Sequence, residues 1–413
     1  MQVVHERCAG LDVHKKTVVA CRITPQAEGG WRREIRTFGT LTDELLTLAD
    51  WLRVGGVSHI AMESTGVYWK PIYNLLEAEF GVVLVNAQHI KFVPGRKTDV
   101  NDAQWIAELL QHGLLKASYI PPVAQRDLRE LIRYRTSLIQ ERTREANRVQ
   151  KVLEDANIKL GAVASNVLGM SGREMLEQII AGQEDSAQLA QLARGRLRPK
   201  IAELERALTG RIRESHRLLL KLHLEHLDDL NNKISQLSGE IDRLLLPFDP
   251  MKAIERLDGI PGVNQTIAQV IVAELGLEMS RFPTAAHAAS WAGLAPGRHE
   301  SAGRNRSSRI RQGNKHLKAA LVQAAHAAGK RKDHDLGAQY RRLASRRGKQ
   351  RAAIAVAHSI LVIVYHMLQR GTEYVELGGD YFDRRTQQQT QQRLVKRLEQ
   401  LGYKVTLEPT VAA

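Results

Sequence analysis

The spacing of apolar and polar positions changes character along the chain. In roughly the first hundred residues, short apolar runs alternate with stretches of helical spacing. Residues 7–23, RCAGLDVHKKTVVACRI, predict strand, tight turn, strand. SHIAME (58–63) and GVVLVN (81–86) predict two further strands. Between them, TDELLTLADWLR (42–53) and VYWKPIYNLLEAEF (67–80) have helical periodicity, and DVNDAQWIAELLQH (99–112) predicts another helix. This alternation predicts an α/β domain with a largely central sheet over residues 1–120.

After Pro121-Pro122 the pattern becomes helical. Residues 124–155 predict a long charged helix carrying Leu128, Leu131, Leu138, Val149 and Val152. A second long helix is marked by Leu220, His223, Leu227, Leu230, Ile234, Leu237, Ile241 and Leu244, spaced alternately by three and four. That is a heptad seam with one polar interruption, His223, and it predicts coiled-coil pairing between protomers. The helix is expected to stop at Pro247. Residues 121–250 form this long-helix region, and 251–385 a mostly helical domain. The latter opens with LDGIPGVNQTIAQVIVAELG (257–276), a glycine turn between two helices that resembles a helix-hairpin-helix, and includes a helix at 314–329. Its most apolar run, AAIAVAHSILVIVYHML (352–368), is interrupted by His358, Ser359 and His366 and is short for a membrane span, so it predicts a buried helix. Residues 386–413 are a Gln-rich tail with Leu394, Leu398 and Leu401 on one face.

Charge adds a partner to this outline. The chain carries a net +15, and sixteen Lys and Arg against three acids (Glu300, Asp333, Asp335) fall between Arg298 and Arg351. Such a surface suits a polyanion, most simply nucleic acid, whose counterions are released on binding. Two cysteines, Cys8 and Cys21, exclude a disulfide framework or a cysteine metal site. MQVVHERCAG is not a signal peptide, so a cytoplasmic protein with no membrane partner is expected.

Two groups of residues carry candidate chemistry. Asp12 ends the first strand, Glu63 ends HIAME, and Asp99 and Asp102 stand three apart on one helix face. Four carboxylates meeting at a sheet edge would suit Mg²⁺, a hard cation that takes oxygen ligands and serves phosphodiester chemistry. Each has a structural alternative: Asp12 as a turn cap, Glu63 as a partner of Lys70, and Asp99 as the N-cap of the helix containing Asp102. The second group is ESAGRNRSSRIRQGNKH (300–316), in which Ser301, Ser307 and Ser308 stand among arginines. Arg298, Arg304, Arg306, Arg309, Arg311 and Lys315 are candidates for spreading positive charge over a phosphate, and the turn at Gly259 and Gly262 could present backbone N–H groups to another. The residues alone leave two readings open: a serine that attacks phosphorus, or serines that only donate hydrogen bonds to phosphate.

GLDVHK, AMESTGVYW and KTDVNDAQWIAELL resemble, in order and spacing, the N-terminal signature of the "IS one-ten" family of insertion-sequence transposases. WAGLAPGRHESAGRNRSSRIRQGNKHLKAALVQAA resembles the same family's C-terminal transposase domain. The resemblance covers about the first 110 residues and 251–330. It implies an N-terminal ribonuclease-H-like fold similar to the junction resolvase RuvC, with Asp12, Glu63, Asp99 and Asp102 as an Mg²⁺-binding acidic tetrad. It also implies that Ser301 is the nucleophile that cuts and rejoins DNA through a phosphoserine link, although Ala302 stands where the family often has glycine. Further implied are a homo-oligomer, in the form of a tetramer whose sites combine subunits, and a structured bridge RNA that selects donor and target DNA. A Mg²⁺-dependent nuclease or junction resolvase using water, and a non-catalytic nucleic-acid-binding protein, are the alternatives.

Overall fold

The computed structural model describes residues 2–64, 66–86, 102–249, 252–297, 299–301, 304–307, 310, 312–385 and 387–407. The chain divides into two compact units, Met1–Pro121 and Pro122–Ala413.

The first unit is built on a five-stranded mixed sheet. Its strands are β1 (Cys8–Val13), β2 (Thr17–Pro25), β3 (Trp31–Gly39), β4 (His59–Glu63) and β5 (Gly81–Val85), in the order β3-β2-β1-β4-β5. The β1–β2 and β2–β3 pairs are antiparallel, and β4 runs parallel to both β1 and β5. Three helices accompany the sheet: α1 (Thr42–Val54), α2 (Trp69–Leu76) and α3 (Asp102–Gln111). The two-residue period of β1 divides its side chains between two cores. Ala9, Leu11 and Val13 pack with Leu48, Leu52, Ile72 and Leu76 of α1 and α2. Cys8, on the opposite face, packs with Ala103, Ile106, Ala107 and Leu110 of α3. Both cysteines are free and buried, and burial pushes the Cys8 thiol up to about 12 and that of Cys21 to about 11.

Strand β3 was not expected. WRREIRTFG lacks a buried residue because it is the edge strand of the sheet, so no apolar alternation marks it. Helix α2 is shorter than the periodicity predicts, and Asp99 lies outside the described residues.

The second unit begins with α4 (Val123–Asp155). Short helices follow: α5 (Leu160–Val163), α6 (Met170–Ile180), α7 (Ser186–Gln191) and α8 (Ile201–Leu208), then the long α9 (Glu214–Phe248). Helices α4 and α9 lie against each other antiparallel within one chain, as Arg135–Ser238, Arg142–Asn231 and Glu145–His223 contacts show. Part of the heptad seam therefore has its partner, α4, inside the same chain. Leu220, Leu227, Leu230 and Ile241 are buried. The polar interruption has a partner too: His223 Nδ1 lies 2.5 Å from Oε1 of Glu145, a carboxylate buried in the opposing helix. Pro247 falls inside the last turn of α9 rather than ending it.

The C-terminal helices are α10 (Ala253–Asp258), α11 (Gln265–Leu275), α12 (Ala285–Trp291), α13 (Lys315–Gly329), α14 (Asp335–Arg347), α15 (Lys349–Arg370), α16 (Tyr381–Arg385) and α17 (Gln387–Gln400). A two-stranded hairpin, β6 (His299–Ser301) and β7 (Arg304–Ser307), lies between α12 and α13. Helices α10 to α15 share one core with Leu128 and Ile132 of α4 and Ile241 and Leu245 of α9. Helix α15 is long and apolar enough to cross a membrane, yet Val356, Ile360, Leu361 and Val364 are fully buried in this core, as expected of a buried helix. Leu394 and Leu398 of α17 and Leu401 just beyond it are exposed.

Candidate active site

Strand register and one glycine bring Asp12, Glu63 and Asp102 into one neighbourhood of the first unit. The β1–β4 ladder pairs Leu11 with Met62, so Asp12 and Glu63 each stand one residue further along two parallel neighbours. Two-residue periodicity places both on the face covered by α3, at the carboxyl ends of their strands. Gly10 lets α3 approach that face. A Cβ there would lie 2.2 Å from the carbonyl oxygen of Ala103 and 2.4 Å from the Ala107 nitrogen, so the helix backbone rests on β1 where a side chain would otherwise stand. Asp102, the first residue of α3, directly precedes Ala103.

The electrostatics register this convergence. Burial holds the Asp12 pKa above the ordinary aspartate value, and the charges of Asp102 and Glu63 push the same way. His14 opposes them, with Nε2 3.2 Å from Asp12 Oδ2. Asp12, Glu63 and Asp102 therefore share one electrostatic neighbourhood. Hard oxygen donors that repel one another suit a hard divalent cation. Among the described residues, no three potential ligands close on a single metal position.

The serine stretch is a hairpin rather than an open loop. Ser301 ends β6 and pairs across the hairpin with Arg304, whereas Ser307 ends the return strand and pairs with His299. The two serines thus occupy opposite ends of the ladder, Ser301 beside the turn. Arg306 lies on β7 and Lys315 begins α13, while Arg298, Arg309, Arg311 and Ser308 lie outside the described residues.

Both ends of this hairpin segment are held. An antiparallel bridge joins Pro296 to Ile310. Gly313 packs so closely on Ala292-Gly293 that a Cβ would lie 2.3 Å from the Gly293 nitrogen. Asn314 caps α13 by accepting hydrogen bonds from the His316 and Leu317 N–H groups. Its side-chain amide also donates to Glu274 Oε2 at 2.7 Å.

Glu274 is the residue that sequence reading missed. It is fully buried at the end of α11, in the unremarkable run VAELG. Arg133 of α4 donates to both of its oxygens, at 2.6 and 2.7 Å, and Arg129 lies at 3.6 Å. Burial alone would raise the Glu274 pKa. Hydrogen bonds from Arg133 and Asn314 and the charges of both arginines outweigh it and hold the carboxyl below the ordinary glutamate range. The only available signals, Glu274 and the arginines of α4, are about 140 residues apart along the chain.

At the other glycine turn, Gly259 is exposed, whereas Gly262 has φ 89° and packs on α13, where a Cβ would lie 2.2 Å from the carbonyl oxygen of Ala324. Asn264 caps α11 by accepting from Ile267 N–H.

Comparison with known proteins finds a transposase family model for each of these two regions. Residues 9–158 match the transposase family designated DEDD_Tnp_IS110, and residues 254–341 match the transposase IS116/IS110/IS902 family. The chain is 25% identical over 370 residues to the transposase for insertion sequence element IS1111A of Coxiella burnetii, covering 88% of this chain and 90% of that protein. It is 24% identical over 330 residues to a probable family 20 transposase of Pseudomonas aeruginosa, covering 76% and 85% respectively. An uncharacterized 43.6 kDa protein of insertion element IS110 from Streptomyces coelicolor is 26% identical over 305 residues, covering 68% and 73%.

Proposed function

Because the chain belongs to the IS110/IS116 family of insertion-sequence transposases, we propose that it cuts and rejoins DNA strands through Ser301, with Asp12, Glu63, Asp99 and Asp102 holding Mg²⁺. The observation that carries this reading is the shared neighbourhood of Asp12, Glu63 and Asp102 at the carboxyl edge of the sheet. The strand order β3-β2-β1-β4-β5, with β2 antiparallel to β1, supports a ribonuclease-H-like origin for that unit.

When bound, Mg²⁺ would polarise the phosphate and stabilise the oxygen that leaves. The chain's own groups have separate tasks. The carboxylates fix the cation's place through β1, β4 and the seating of α3. The Ser301 hydroxyl oxygen forms a bond to phosphorus as the bond to one deoxyribose oxygen breaks, and that oxygen takes up a proton. Arg304, Arg306 and Lys315, with Arg298, Arg309 and Arg311, offset the charge that develops on the phosphoryl oxygens. Attack on the phosphoserine by another strand's hydroxyl reverses the bond change and needs no ATP. The glycine turn at Gly259 and Gly262 adds backbone contact to DNA. The active assembly is a tetramer in the prokaryotic cytoplasm, at the nucleoid, that draws carboxylates and serine from different subunits, and a bridge RNA selects its DNA partners by base pairing.

Asp12→Asn tests the carboxylate role. Burial and like charge oppose ionisation of Asp12, so without metal the variant is expected to melt no lower than the parent at neutral pH. Mg²⁺ or Mn²⁺ should raise the parent's melting temperature and leave the variant's unchanged, with strand cleavage lost. Equal stabilisation of both proteins would remove Asp12 from the metal site.

A further inference from the structure

A strongly basic surface lies outside both the serine hairpin and the acidic cluster. Helix α14 and the first turn of α15 expose Arg341, Arg342, Arg346, Arg347, Lys349 and Arg351. Among the described residues none of these six is ion-paired with a carboxylate, whereas the exposed Arg53 and Arg243 are. Arg341 instead donates to the carbonyl oxygens of Arg331 and Lys332, at 2.7 and 2.8 Å, drawing a second basic turn alongside the helix. Of the acids near the start of α14, Asp335 is buried and accepts from the Tyr374 hydroxyl at 2.9 Å, and Glu376 lies 2.8 Å from His334 Nδ1 and accepts from the Asp335 N–H at 2.8 Å. Asp333 remains exposed at the start of the ridge.

The ridge is held in place by its packing. Leu336 is buried, Gln339 Nε2 donates to Ser359 Oγ of α15 at 2.9 Å, and the Tyr340 ring occupies the space beside Gly329. The 13 residues of α14 extend about 20 Å at ~1.5 Å per residue, the length of about six base pairs. The positive end of the α15 dipole adds to the charge at its far end. Within residues 335–351 no exposed aromatic offers a platform on which an unpaired base could stack. The one aromatic there, Tyr340, is half-buried with its hydroxyl 3.1 Å from His326 Nδ1.

We propose that α14 and the start of α15 form a second nucleic-acid surface, separate from the serine hairpin, that tracks the phosphate backbone of double-stranded DNA without reading its sequence. Clustered unpaired cations repel one another in the free protein, and a phosphate row relieves that repulsion by releasing counterions. The proposal rests on the chain acting on DNA, but binding is measured without cleavage, so failure of the serine chemistry would leave it standing.

The test uses full-length protein carrying Arg342→Gln, Arg346→Gln, Arg347→Gln, Lys349→Gln and Arg351→Gln together. Affinity for a labelled duplex of arbitrary sequence is measured by fluorescence anisotropy over a salt series. Removing a cation that neutralises one phosphate lowers the slope of log affinity against log salt by about 0.9, so a fall of up to about 4.5 is expected from the five substitutions. A control carrying Arg196→Gln, Arg198→Gln, Lys200→Gln, Arg206→Gln and Arg211→Gln removes the same charge from another exposed region and should keep most of the slope. All ten side chains are exposed, so melting by circular dichroism should match the parent. An unchanged slope in the ridge variant, or an equal fall in the control, would overturn the proposal. A loss confined to RNA or to single-stranded DNA would overturn it as well.

Discussion

Gly10→Ala is the smallest change that should dismantle the acidic cluster without touching a carboxylate. The new methyl would stand 2.2 Å from the Ala103 carbonyl oxygen and 2.4 Å from the Ala107 nitrogen. An ordinary contact needs roughly 1 Å more, and both neighbours are helix backbone, which cannot rotate away as a side chain can. Helix α3 must retreat from β1, carrying Asp102 with it. Overpacking typically costs about 1–3 kcal/mol, and a clash with backbone belongs at or above the top of that range, about 3 kcal/mol. Four of the five tryptophans, Trp31, Trp51, Trp69 and Trp105, lie in the first unit, so a urea titration followed by tryptophan fluorescence reports mainly on it. The expected result is a clearly lower midpoint together with weaker stabilisation by Mg²⁺. A free energy within about 0.5 kcal/mol of the parent would show that α3 does not rest on Gly10, and the assembly of the cluster would lose its structural basis.

Further predictions concern the second unit. Glu274→Gln leaves Arg133 and Arg129 facing a neutral group in a buried position and should cost about 3 kcal/mol at pH 7, measured by urea unfolding followed by circular dichroism. The folded-state pKa of Glu274 is depressed, so its contribution is complete above the unfolded glutamate value and is lost as pH falls through the folded one. The gap between parent and variant should therefore narrow below about pH 4.3, and a gap independent of pH would contradict the ionic account. Leu230→Lys places an ammonium at a site 2% exposed between α4 and α9 and should lower the chain's own melting temperature. If it changed oligomeric state and left melting intact, the seam would join subunits after all.

Much of this structure was legible in the sequence, for identifiable reasons. Strands β1 and β4 announced themselves because they are central and carry apolar runs, and β5, though at the other edge, because its own run VVLV is apolar. Helix α4 was legible to within a residue because its length repeats one amphipathic pattern many times. Strand β3 was not, since an edge strand can satisfy its backbone with charged side chains outside. The heptad seam revealed that α9 packs on another helix but not which one, because a seam specifies a complementary surface and not the chain that bears it. In the candidate site, Asp12, Glu63 and Asp102 drew attention only as a set, since taken singly each suits an ordinary capping or pairing role. Glu274 drew none, since an acid in an apolar helix reads as a solvated position until its arginines appear beside it. Gly10 was equally silent, because nothing within GLDVHK indicates that a helix some ninety residues later will rest on it.

The central claim is that Ser301 itself attacks DNA, and mass spectrometry of the covalent product tests it most directly. The protein, incubated with Mg²⁺ and a nicked substrate that traps the cut strand, is digested with nuclease and protease and its peptides are mapped. The account predicts a nucleotide remnant on the peptide containing Ser301, absent when Ser301→Ala is used, with strand cleavage lost in parallel. Cleavage that persists in Ser301→Ala with no adduct, or a remnant on Ser307, Ser308 or Tyr340, would contradict it.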